Sequence, residues 1–134
     1  MDAEGKPGQP PGEPQAPTPA ELNLSVQRAG DTHVVTLRGA VRLEGADDLA
    51  AELLLLIRRS SPHLILDLTE LEFLSSIGIG AIVSAHNQAR QLSGRVGMVN
   101  PTPAIAAMLR LTRIDRLVPI FPTLESARQA FSNT

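Results

Sequence analysis

The stretch Leu64-Ile65-Leu66-Asp67-Leu68, which follows soon after Pro62, limits what this chain can fold into more than any other. A strand with one wet face alternates apolar and polar residues, whereas a short strand that is almost continuously apolar must be covered on both faces. Such a strand belongs in the middle of a sheet with helices on either side. Arg95 to Val99 and Val118 to Phe121 have the same short, apolar texture, and the segments between them read as helices.

The first helical stretch has Asp47 and Asp48 at its start and Arg58 and Arg59 at its end, the polarity that the helix dipole favours. A second is predicted from about Ile77, with Ile79, Ile82, Val83, Ala89 and Leu92 on helical spacing, Ser76 as N-cap and Gly94 as the C-terminal cap. Thr102-Pro103 is a cap and first-turn pair for a third helix through Leu111. Thr123 opens a last helix ending near Phe131. Ahead of all these, Leu22, Leu24 and Val26, then Val35 and Leu37, alternate with polar residues around Ala29-Gly30-Asp31. That pattern predicts a β-hairpin, ended by Gly39. The expected class is α/β: a mixed, mostly parallel sheet of about five strands with about four helices, in the order ββαβαβαβα.

Of the 134 residues, 1–20 are mostly Pro, Gly, Gln, Glu and Ala with almost no large apolar side chain, so burial cannot offset the entropy of ordering them. A disordered tail is expected there, and one domain over 21–134. The chain has no cysteine, which rules out disulfides, thiol catalysis and cysteine-based zinc sites. A net charge of −2, with both signs interspersed, gives no reason to expect nucleic acid or an anionic membrane as partner. The longest apolar run, Leu53 to Ile57, is far too short to span a bilayer, and Met1-Asp2-Ala3-Glu4-Gly5-Lys6 has no apolar core. A cytoplasmic location without membrane insertion is the expectation.

Catalytic signatures are sparse. His33, His63 and His86 are far apart in the chain, no His-x-x-x-His pair occurs, and the carboxylates are scattered. No phosphate-binding glycine loop is present, and Gly78-x-Gly80 alone reads as close packing of a helix start against a strand. The reading is a non-enzyme with no cofactor and no metal. Leu55 falls opposite the apolar side of the first helix, among Asp48, Glu52 and Arg59, and is expected to be exposed.

The informative segment runs from Asp67-Leu68 through Phe73-Leu74-Ser75-Ser76-Ile77-Gly78-Ile79-Gly80. It leads from the end of the central strand to a helix N-terminus, where open backbone N–H groups favour negative charge. This stretch, with Asn100-Pro101 after a later strand, resembles the signature of STAS domains, the anti-sigma factor antagonist family, over Leu22 to Phe131. The resemblance implies partner switching: a serine-kinase anti-sigma factor binds the domain and phosphorylates it, and a phosphatase restores it. The family's acceptor serine falls on Ser76, with Ser75 the spare candidate. The implied partner-binding residues are Arg42, Ser75, Ser76, Ile77, Gly78 and Ile79. Three positions depart from the family pattern: Ser75 stands where an acidic residue usually precedes the acceptor, Ile77 where Ser or Thr follows, and Arg42 where a carboxylate follows the second strand. Arg42 is placed to pair with a phosphate. The rival reading is a non-switching STAS subunit of a lipid-transport ABC complex or a stress-sensing scaffold. A nucleotide-binding or enzymatic role rests only on the glycines and lacks a lysine or an acid–base set beside them.

Overall fold

The computed structural model describes residues 21–132, so the predicted tail lies outside the described residues. Strands β1 (Asn23–Ala29) and β2 (Thr32–Val41) form the antiparallel hairpin around Gly30, whose φ of 65° is one a glycine takes without strain. Then come α1 (Leu43–Arg59), β3 (His63–Asp67), β4 (Leu71–Leu74), α2 (Ser76–Gln91), β5 (Arg95–Val99) and α3 (Pro103–Leu111). A short 3-10 turn (Ile114–Arg116) leads to β6 (Ile120–Phe121) and α4 (Leu124–Ser132).

The sheet order is β1-β2-β3-β5-β6, parallel except for the opening hairpin, with β3 in the middle as its apolar run predicts. Leu64, Ile65 and Leu66 are fully buried. A sixth strand adds to the expected order. β4 pairs with the far end of β2, which is long enough to pair with β3 along Thr32–Thr36 and with β4 along Gly39–Val41. The hairpin pairing stops at Arg38, directly before Gly39 as expected, but β2 itself runs on to Val41. Gly39 sits inside β2 at φ 92°, at a register shift, and re-aims the strand end toward β4.

Two cores result. The larger lies under α1, α2 and α3 and holds Leu37, Leu49, Leu53, Ile57, Leu66 and Ile82 among others. Small residues Ala81, Ala85 and Ala89 are buried on α2, which lets it approach α1 closely. The smaller core covers the opposite face, where α4 seats Ala127 against Val34, Ile65 and Val99. Phe121 and Phe131 meet edge to face there at 6.4 Å, and Arg95 stacks on Phe131 at 4.6 Å. Gly97 makes room for that pair, since a Cβ would stand 2.9 Å from the Phe121 ring.

Two helix ends differ from expectation. α1 starts at Leu43, a turn ahead of Asp47 and Asp48, with Arg42 as N-cap and no side-chain cap bond. At the end of α2 it is Ser93, not Gly94, that takes the left-handed turn, at φ 63°; the Gly94 N–H donates to the Ala89 carbonyl at 2.6 Å, and a Cβ there would collide with the Pro62 carbonyl. Thr102 caps α3 through the Ile105 N–H, as predicted.

His33 is buried on β2, with Nε2 3.1 Å from Ser60 Oγ and Nδ1 without a partner among the described residues. Burial, and secondarily Arg28, hold its imidazole below the usual histidine range. His86 is shifted down likewise, by burial and then Arg90. The folded state therefore binds fewer protons than the unfolded chain, and stability falls as pH drops below about 6.5. The urea midpoint is expected to be lower at pH 5.5 than at pH 7.5, and His33→Gln to shrink that difference; a midpoint independent of pH contradicts this. Gly94→Ala is expected to cost about 1–3 kcal/mol from overpacking. Gly80→Ala, on an open and exposed part of α2 where a Cβ meets nothing within 4 Å, is expected to add about 0.5–1 kcal/mol. Thermal melts that rank the two the other way contradict the packing described.

Candidate functional site at the start of the second helix

β2 and β4 end side by side, Ala40 against Phe73 and Val41 against Leu74. Each strand end feeds a helix, α1 after Arg42 and α2 after Ser75, so the topology brings both helix N-termini to one end of the sheet. The Ser75 N–H donates to the Val41 carbonyl at 2.9 Å, fixing the point where the chain turns into α2.

Ser75, not Ser76, caps α2: its Oγ accepts from the Gly78 N–H at 3.1 Å. This corrects the assignment of the cap to Ser76. Ser76 is instead the first helical residue, exposed, and its hydroxyl has no hydrogen-bonding partner among the described residues. Ile77 is half exposed beside it. Gly78 and Ile79 are buried. A Cβ on Gly78 would stand 2.7 Å from Val41 Cγ1 and 2.8 Å from Leu74 Cδ1, so this glycine seats the helix on the two strand ends. Gly80 meets nothing, so only the first glycine of the pair serves close packing.

Of the six residues expected to form the docking surface, Arg42, Ser75, Ser76 and Ile77 reach the solvent, and Gly78 and Ile79 lie beneath them. Two apolar residues at this end of the sheet were not among the residues expected to bind a partner. Phe73 on β4 is 44% exposed and Leu43, the first residue of α1, is 64% exposed. Leu55 is exposed as expected, at 45%, twelve residues further along α1 than Leu43 and so eighteen ångströms from it along the axis by about 1.5 Å per residue.

The neighbouring loop is held by its own polar bonds. Asp67 Oδ1 accepts from the Thr69 N–H at 3.0 Å and from its hydroxyl at 2.6 Å, and Asn100 Nδ2 donates to Thr69 Oγ1 at 3.3 Å. Asn100 takes a left-handed φ of 49°, which asparagine tolerates. Asp67 thus serves the turn between β3 and β4. Arg38 and Glu70 pair at 2.9 Å on the surface nearby, a contact worth at most about 1 kcal/mol. No group of three His, Cys, Asp or Glu side chains that could hold a metal occurs among the described residues, and none of the described helices is long and apolar enough to cross a membrane.

Comparison with known proteins agrees with this geometry. The STAS domain family model matches residues 23–127. A Bordetella bronchiseptica protein assigned as the anti-sigma factor antagonist BtrV is 24% identical over 110 residues, covering 82% of this chain and 95% of that protein. The crystal structure of an anti-sigma factor antagonist from Mycobacterium paratuberculosis is 27% identical with a TM-score of 0.76, over 84% of this chain and 95% of that one. The anti-sigma factor antagonist SpoIIAA, solved in its unphosphorylated form, shares the fold at 18% identity and a TM-score of 0.73, over 84% and 98% of the two chains. With six strands and four helices among the described residues, and a helix start seated by Gly78 where the family's signature falls, the chain belongs to the STAS domain family.

Proposed function

We propose that this chain binds a serine-kinase anti-sigma factor in the cytoplasm through the end of the sheet where α1 and α2 begin, and that phosphorylation of Ser76 releases it, with a phosphatase restoring the bound form. The observation that carries this reading is the separation of tasks between adjacent serines. Ser75 is occupied in capping, while Ser76 presents an exposed hydroxyl beside Phe73 and Ile77. A kinase can therefore modify Ser76 without removing the cap.

Phosphate adds about −1.5 to −2 charges. At the first turn of α2 the helix dipole stabilises them, so the fold survives modification. At the interface the same charges oppose docking, because an apolar or acidic partner surface cannot meet them without loss of hydration or repulsion. Arg42, at the start of α1 on the same end of the sheet, is the cation proposed to meet the phosphate. The fold relative SpoIIAA, whose solved form is described as unphosphorylated, fits a family in which this modification matters.

Ile77, standing where the family pattern has Ser or Thr, favours one rival: a permanent subunit of a transport complex or scaffold that docks through Leu43, Phe73 and Ile77 and needs no modification. The two readings separate on one set of variants, assayed against the partner that co-purifies from the host, with the mass of the α2 peptide measured in parallel. Ser76→Ala is expected to bind within about twofold of the parent and Ser76→Asp at least tenfold more weakly. Ser75→Ala is expected to lose about 1 kcal/mol of stability yet remain a substrate at Ser76. Equal binding by the Ala and Asp variants at position 76, with no phosphate on the native chain, overturns switching in favour of the permanent subunit.

A further inference from the structure

Glu44, Asp48 and Glu52 recur at every fourth position of α1, which stacks them in one stripe along the helix. All three are exposed, and like charges at this spacing oppose the helix that carries them. No cation lies within ion-pairing distance of any of the three among the described residues.

The stripe is one wall of an open groove of about 780 Å³. The other wall is β1 with the residues just before it: Leu22, Leu24 and Val26, which the two-residue strand period puts on one face, and Glu21. β1 is an edge strand bonded to β2 alone, and α1 packs against α2 and β2. Among the described residues no element covers this sheet margin, and Val26 is 46% exposed. Apart from Arg42 at its end, the groove shares no residue with the segment from Phe73 to Ile79.

We propose that this groove docks a cationic amphipathic segment of a second protein, with apolar side chains on Leu22, Leu24 and Val26 and Lys or Arg against the carboxylate stripe. An apolar floor beside a wall of unpaired acids fits that chemistry and disfavours the two alternatives within this chain. Residues 1–20 carry Asp2, Glu4 and Glu13 against Lys6 alone, the same sign as the groove. A second copy offering Leu111 to Leu117, exposed leucines with Arg113 and Arg116 between them, would present a stretch where Arg113 takes a left-handed φ of 63° and interrupts any continuous apolar helix face. Such a head-to-tail contact would not close into a symmetric pair. The proposal is independent of switching at Ser76, because the groove engages its partner whether or not that serine is modified.

The probe is a labelled 14-residue Leu/Lys amphipathic peptide added to the full chain, with its Leu/Glu counterpart as control, followed by fluorescence anisotropy and methyl NMR. The Leu/Lys peptide is expected to bind and to shift the methyls of Leu22, Leu24 and Val26, and the Leu/Glu peptide to do neither. The variant E44Q/D48N/E52Q is expected to raise Kd at least tenfold. E72Q/D115N/E125Q, which removes the same charge elsewhere, is expected to leave Kd within twofold, and thermal melts verify that both variants fold. Equal weakening by the two variants, methyl shifts outside the groove, or no binding at millimolar peptide overturns the proposal. So do nuclear Overhauser contacts from residues 1–20 to Leu24, which make the chain's own segment the occupant, or a concentration-dependent dimer abolished by E44Q/D48N/E52Q, which makes it a second copy.

Discussion

Gly78 is the contact on which the rest of the site depends, because α2 begins directly on top of the ends of β2 and β4. With no Cβ, the helix start settles against Val41 and Leu74 at distances that any other side chain would violate. Ser75 locks the same point twice, donating its N–H to the Val41 carbonyl and accepting from the Gly78 N–H. Ser76 and Ile77, two residues and one residue before this seat, are left at the surface. A buried glycine thus places an exposed serine.

The strands beneath the seat are arranged to supply it. β2 can reach both β3 and β4 only because its backbone shifts register at Gly39, where a left-handed φ suits glycine. The larger core under α1 and α2 then fixes the two helix starts relative to each other, while α4 and the Phe121–Phe131 pair close the opposite face without touching the site. Stability resides mainly in the middle of the sheet, and the end where α1 and α2 begin is a margin where three large apolar side chains, Leu43, Phe73 and Ile77, are exposed.

What the sequence revealed follows from which signals are local. The central strand was legible because burial on both faces leaves an unbroken apolar run, and α3 because Thr102-Pro103 is a strong start signal. β4 was not, since its four residues read in, out, out, in and match neither the strand nor the helix period. The start of α1 was displaced because Arg42 offers no capping side chain bond to announce it, whereas Asp47 and Asp48 imitate a first turn one turn late. Two adjacent serines are equivalent as caps in a sequence, and only the bond from the Gly78 N–H chooses Ser75. Leu43 escaped notice for the same reason as the helix start: its exposure depends on where α1 begins.

The central claim is that partners meet this protein at the end of the sheet where α1 and α2 start. The most direct measurement is hydrogen exchange of the native complex recovered from the host against the free chain, resolved by peptide. Slowed exchange over the start of α2 and the start of α1, with α4 unchanged, is the predicted result. Protection confined to α4 and β6, with the amides around Ser76 exchanging as in the free chain, would contradict the account.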